Sequence, residues 1–236
     1  EFIKWEKPDY VRLHLDHVPV IDEDNLKVDY LLIIKEALEM GYKSVMIDGS
    51  RLSFKDNIEV TKRVADLAHK KDAACEAELG AVMGHESGPI PPYEEIFASG
   101  KGFTDIKEAE IFVAQTNCDW LSVAIGNIHG AVSEALRNQK KPVARLNIKH
   151  LSSLSKVTGI PLVLHGGSGV AREYFLEAIK NGISKVNVGT ELRQTYEQSL
   201  QDNNSTVKAQ DAVYNHTRNL IRDYYNISGI QKKILS

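Results

Sequence analysis

The chain has 236 residues, 26% of them charged, and a formal net charge of −3 at pH 7; the size suits one barrel domain or most of one. Near-balanced charge gives no electrostatic case for nucleic acid or a membrane surface, and the longest aliphatic run, Leu31 to Ile34, is far too short to span a bilayer. Neither Cys75 nor Cys118 belongs to a C-x-x-C pair, so buried, reduced thiols of a cytoplasmic protein are expected.

From the N-terminal side, Val11, Leu13 and Leu15 alternate with Arg12, His14 and Asp16 up to His17, the period of a half-buried strand. Gly41 sits where a first helix should stop. Val45 and Ile47 then alternate with Asp48 in Ser44 to Gly49. Ser53 followed by Asp56 resembles a capping box, and Ile58, Thr61, Val64, Ala65 and Ala68 share one face of the helix it opens. Ala74 to Gly80 places Glu76 and Glu78 together on one strand face. The stretch Met83 to Gly102, rich in Gly and Pro, is the most loop-like. Thr104 can cap the next helix and Asn117 ends it. Further strands run from Trp120 to Gly126, Pro161 to His165 and Lys185 to Thr190, and Val143 to Ile148 could add a short one.

Strands alternating with helices imply parallel pairing through crossovers. The carboxylates, His14 and Asn187 fall on the face opposite the apolar residues. A polar inner face suits a closed barrel, because an open doubly wound sheet buries both faces in apolar contact. The expected fold is therefore α/β, a TIM (β/α)8 barrel. Six strands are visible where eight are needed, so the first two β/α units are expected to be missing from the given chain, with residues 1–236 forming a single catalytic barrel domain, incomplete at its N-terminus.

His17, His129 and His165 each lie at or just beyond a strand's end. A lone histidine there is usually a hydrogen-bonded structural residue, but three at the carboxyl ends of three barrel strands converge on the face that carries active sites. Three imidazoles with one open position suit catalytic zinc. Asp16 beside His17 is an acid-base candidate or a supporting carboxylate. Gly166, Gly167, Ser168 and Gly169 precede a helix, where backbone N–H groups can hold an anion; Asn187 and Thr190 at the next strand's end reinforce that site. A zinc hydrolase with Asp16 as general base, or a non-catalytic sugar-phosphate binder, would use such parts.

L-H-L-D-H, M-I-D-G-S, E-A-E-L-G, A-I-G-N-I-H-G, L-V-L-H-G-G-S-G and K-V-N-V-G-T-E-L-R occur in this order between Val11 and Arg193. The set resembles the class II, metal-dependent ketose-bisphosphate aldolases, the fructose- and tagatose-bisphosphate aldolase family. The resemblance implies a TIM barrel that reversibly cleaves a phosphorylated ketose into dihydroxyacetone phosphate and an aldehyde through an enediolate stabilised by zinc (Zn2+). It implies His17, His129 and His165 as zinc ligands, Asp16 for the proton on the aldehyde oxygen, and Glu86 for the donor's carbon-bound proton. Gly130, Gly166, Gly167, Ser168, Asn187 and Thr190 would contact the donor and its phosphate. Asp48, Glu76 and Glu78 would form either a second metal position or a hydrogen-bonded lumen network. A monovalent cation could accompany the zinc. The expected partner is a small sugar phosphate, with no nucleic acid or membrane, in a homo-oligomer of two or four chains. Lysine Schiff-base chemistry is disfavoured, because no lysine lies on the lumen face except at a strand's very start.

Three departures bear on the substrate. Fructose-bisphosphate aldolases usually carry aspartate where this chain has Gly189, whereas tagatose-type relatives carry a small residue. A lysine that usually meets the donor phosphate aligns with Ser133. The Pro89 to Gly102 loop, with P-P-Y-E-E-I-F, is likewise unlike the glycolytic pattern and should lie near the site's mouth. The preferred substrate is expected to be a phosphorylated ketose other than fructose 1,6-bisphosphate.

Overall fold

Each of the first five strands is followed by at least one helix before the chain reaches its parallel neighbour. The computed structural model describes residues 11–80, 93–127, 144–167 and 170–229. The order is β1 (His14–Pro19), α1 (Tyr30–Glu39), β2 (Ser44–Asp48), α2 (Phe54–His69), β3 (Ala74–Leu79), α3 (Tyr93–Ser99), α4 (Ile106–Thr116), β4 (Trp120–Val123), α5 (Ile148–Thr158), β5 (Leu162–Leu164), α6 (Arg172–Lys180), β6 (Ile183–Val186), α7 (Thr190–Asn203) and α8 (Thr206–Asn219), with a π-helical turn at Leu220–Tyr224. The six strands form one sheet in sequential order, every adjacent pair parallel. Among the described residues no helix is long and apolar enough to cross a membrane.

Local chemistry sets the helix ends. Ser53 accepts the Asp56 N–H and donates to the Asp56 carboxylate, closing the expected capping box over α2. Asn117, in the left-handed region at φ 57°, ends α4, and Gly41 at φ 93° follows α1. Thr104 does not cap: Asp105 accepts the N–H groups of Lys107 and Glu108 instead. The fully buried Thr104 hydroxyl donates to the Leu79 carbonyl and accepts the Ala124 N–H, stitching the ends of β3 and β4. Val143 to Ile148 is no strand within the described residues; Ala144 makes an isolated bridge to Val170, and α5 has begun by Ile148.

One face of the sheet builds the core. Val45, Ile47, Cys75, Ala77, Leu79, Leu121, Val123, Leu162 and Leu164 pack with Ile34, Val64, Phe112, Leu151, Leu154 and Phe175. Both cysteines are buried there as free thiols, and burial raises the pKa of each. Met46 and Val163 are also fully buried but lie outside that cluster.

The opposite face curls around a lumen. Flat, six strands at roughly 4.8 Å spacing would hold β1 and β6 roughly 24 Å apart. Yet Asn187, just past β6, reaches Asp16 on β1 at 3.0 Å, and Lys185 on β6 comes within 3.2 Å of His14. The two edges therefore face each other across a polar interior.

Candidate metal and catalytic site

β1 contributes two adjacent side chains to one face by breaking its own alternation. Leu15 is level with Val45 and Val18 with Ile47, so Asp16 and His17 together stand opposite Met46 alone. In a regular strand they would point to opposite faces; the bulge, with His17 at φ 46°, turns both inward. A side chain in that left-handed conformation costs on the order of 1–2 kcal/mol. Strict alternation along Val11 to His17 would have put His17 with the apolar residues.

β3 needs no such device. Glu76 and Glu78, two residues apart, both enter the lumen and are nearly or fully buried. His165, at the end of β5, is also fully buried. Its Nδ1 lies 2.7 Å from His17 Nε2, and its Nε2 lies 2.9 Å from Glu76 Oε1. An ionised carboxylate only accepts, so a proton on Nε2 satisfies Glu76 and leaves the Nδ1 lone pair facing His17; the Asn187 amide nitrogen also stands 3.1 Å from Nε2. Asn127, 3% exposed, donates to the His165 carbonyl at 3.0 Å and holds the strand end from behind. Asp48, closing β2, lies 3.4 Å from His17 Nδ1 and accepts both the hydroxyl and the N–H of Ser50.

The charges are strongly coupled. Burial opposes the ionised forms of Asp16, Asp48 and Glu76, but their partners prevail. His14 and Lys185 hold Asp16 below the usual carboxylate range, His17 and Ser50 hold Asp48 at about 2, and His165 and Lys185 lower Glu76. Glu78 has no such compensation: burial, reinforced by the Asp48 charge, pushes its pKa up to about 8. Burial also works against a charge on His17, yet Asp48 and Glu78 outweigh it and raise the pKa to about 9. Burial lowers His165.

Those features fit a cation. Glu78 Oε2 is buried with no hydrogen-bond partner and lies 3.8 Å from Nδ1 of both His17 and His165. Asp16, His17 and His165 form one group of converging donor atoms; His17, Asp48 and Glu78 form another. Imidazole nitrogens with carboxylate oxygens are the donor set zinc favours, and metal binding would displace the protons that now balance these groups.

The mouth is an open cleft of about 400 Å³, lined by His14, Asp16, His17, His165, Gly166, Val186, Asn187, Val188, Gly189 and Thr190, a size that suits a small metabolite. β6 ends at Val186, earlier than expected, so Asn187 to Gly189 form the turn into α7. Asn187 presents its amide nitrogen 3.0 Å from both Asp16 oxygens. Gly189, the N-cap of α7, offers no side-chain hydrogen bond to the helix's first turn. Gly167 is required by close approach, since an added Cβ would stand 2.5 Å from Val186 Cγ1. Its N–H already donates to the Asn187 carbonyl at 3.1 Å, so that donor is not available to an anion as expected. His129, Gly130, Ser133, Glu86, Ser168 and Gly169 lie outside the described residues. α3 is tied to the chain just past β4: the Tyr93 hydroxyl lies 3.0 Å from the Gly126 carbonyl and accepts the Arg145 N–H. Sequence reasoning passed over Lys185 and Asn127; the one available signal was that Lys185 shares its strand parity with Asn187.

Comparison with known proteins agrees with this geometry. The family model described as fructose-bisphosphate aldolase class-II matches residues 4–233. A fructose-bisphosphate aldolase of Staphylococcus epidermidis is 35% identical over 181 residues, 77% of this chain and 54% of that protein. A 6-phospho-5-dehydro-2-deoxy-D-gluconate aldolase of Bacillus velezensis is 38% identical over 181 residues, 77% of this chain and 53% of that protein. The chain thus spans about half the length of the curated relatives it matches. Among solved structures, the YdjI aldolase from Escherichia coli K12 superposes with a TM-score of 0.68 at 28% identity, covering 91% of this chain and 69% of that one.

Proposed function

This chain belongs to the class II fructose-bisphosphate aldolase family, and from that premise we propose that it is a zinc-dependent aldolase reversibly cleaving a phosphorylated ketose into dihydroxyacetone phosphate and an aldehyde. The strongest support is the convergence of His17 Nε2 and His165 Nδ1 at 2.7 Å beside the unpartnered Glu78 Oε2. We read the six curled strands as part of a (β/α)8 barrel, with two further parallel strands closing the gap between β6 and β1.

His17, His165 and His129 would hold the zinc, which supplies a Lewis acid polarising the donor's carbonyl and acidifying the neighbouring C–H. Glu76 fixes the tautomer of His165 by accepting from Nε2. Asp16, 44% exposed at its side chain and oriented by the Asn187 amide, faces the cleft as an ionised carboxylate. In the cleavage direction it accepts the proton of the hydroxyl that becomes the aldehyde oxygen, and returns it in synthesis. Glu86 exchanges the donor's carbon-bound proton. The phosphate sits against the uncapped first turn of α7 at Thr190, where the helix dipole favours an anion, with Gly130, Gly166 and Ser168 completing its surroundings.

Gly189 has no atom within 4 Å of where a Cβ would stand, so the carboxylate usual in the glycolytic members is missing from open space at the rim. Ser133 similarly replaces an ammonium. Each such charge-assisted contact is worth about 1.5–3 kcal/mol, or on the order of tenfold to a hundredfold. Fructose 1,6-bisphosphate is therefore a poor substrate and another phosphorylated ketose or keto-sugar is preferred. Comparing catalytic efficiencies across ketose phosphates checks this; the highest value on fructose 1,6-bisphosphate would overturn it.

Triose phosphate release from ketose phosphates, assayed with and without chelator, tests the activity. His17→Ala and His165→Ala should each lower zinc content and, by about 10³-fold, turnover. Retention of both by either variant would refute the metal site, as would hydrolytic products in place of a triose phosphate.

A further inference from the structure

Lys185 lies near the end of β6, an edge strand, yet its ammonium reaches across the lumen to β3 and β1. Nζ is 2.7 Å from Glu76 Oε2, 3.2 Å from His14 Nε2 and 3.6 Å from Asp16 Oδ1. His14, Asp16 and Glu76 present converging donor atoms of the kind that hold a metal, and the ammonium stands among all three. The Glu76 side chain is fully buried, and its two oxygens have divided tasks: Oε2 receives Lys185, Oε1 receives His165 Nε2–H. Without the first contact Oε2 would keep only His14 Nε2 at 3.4 Å, and the buried carboxylate would lose its one ammonium partner among the described residues.

Building on the metal-dependent aldolase reading, we propose that Lys185 is a positioning residue: a tethered cation that occupies the His14–Asp16–Glu76 donor set, fixes the Glu76 carboxylate against His165 Nε2, and thereby presents His165 Nδ1 to the metal. It reaches the metal through Glu76, while its charge also stands 3.6 Å from Asp16 Oδ1. A point charge on a flexible stem suits this task, since it seeks a cluster of acceptors rather than one planar carboxylate. The same occupancy keeps a second free cation out of a pocket whose donors adjoin the zinc ligands.

Lys185→Met keeps the stem and removes the charge. In the full chain its zinc dissociation constant, measured by chelator competition, should rise about 10- to 100-fold, the usual effect of losing support behind a metal-binding histidine. Nitrogen-15 NMR of labelled histidine should show the His165 Nε2–H tautomer in the metal-free unaltered protein and a mixture of tautomers in the metal-free variant. Glu76→Gln combined with Lys185→Met removes the buried charge while keeping an oxygen that accepts from Nε2, so the pair should recover most of the lost affinity; it also serves if Lys185→Met alone fails to fold. Unchanged affinity and tautomer in Lys185→Met, or a double variant as weak as the two single losses added together, would overturn the proposal. If the unaltered chain neither bound zinc nor cleaved ketose phosphates, the aldolase reading would fall, while the metal-free tautomer would still decide the role of Lys185.

Discussion

β1 and β3 each send two polar side chains into the lumen, but by opposite means. β3 keeps its alternation, so Glu76 and Glu78 share a face at no cost in backbone geometry, and the cost lies in burying two carboxylates. β1 abandons alternation at His17, so the cost lies in a left-handed backbone, while Asp16 stays 44% exposed. The pair on β3 is buried beneath the lumen cluster, and the bulged pair on β1 lines the open cleft. Polar groups that support need depth; those that react need the mouth.

Breaking the β3 side should have the larger effect on stability. Glu76→Ala removes the nearer counter-ion of the Lys185 ammonium and leaves Asp16 at 3.6 Å; losing one partner of a buried pair costs about 3–5 kcal/mol. With Lys185 27% exposed, the loss should fall near the lower end, about 3 kcal/mol by urea unfolding of the metal-free protein. A loss below about 1 kcal/mol would show that β3 does not brace the site. Breaking the β1 side should instead spare the fold and harm the chemistry. Asp16→Asn should lower aldol cleavage by at least about 10²-fold while slowing solvent exchange of the donor's carbon-bound proton much less; equal losses in both would remove the division of labour between Asp16 and Glu86. The smallest effect sharpens the contrast. His17→Gly and His17→Ala both lack the imidazole, but only glycine adopts φ 46° freely, so the glycine variant should be more stable by about 1 kcal/mol, read from denaturant midpoints without metal. An alanine variant as stable as the glycine one would mean that the bulge carries no strain.

Much of this was legible from periodicity and punctuation. All six strands lie within a few residues of their expected places, and Ser53, Gly41 and Asn117 mark helix ends as their chemistry predicts. What the sequence hid were matters of long range. Strict parity misplaces His17, because a bulge arises from pairing with β2 and not from local propensity. Thr104 resembles a cap but serves two strands instead, since a buried hydroxyl goes where backbone groups need it. The Gly167 N–H looked open to an anion until the Asn187 carbonyl, brought up by β6, claimed it. Lys185 resembled an ordinary strand-start lysine until the curl of the sheet delivered Glu76 to its tip.

That curl also orders assembly in time. Neighbouring strands meet over short loops, as when His14 bonds Ser44 only 30 positions on, whereas Asn187 must find Asp16 across 171. Local pairings close quickly and distant ones slowly, because the loop entropy must be met first. The sheet can therefore grow one unit at a time from either side, but the cleft closes only when its far edge arrives; on the proposed reading, metal affinity would report that late event of folding.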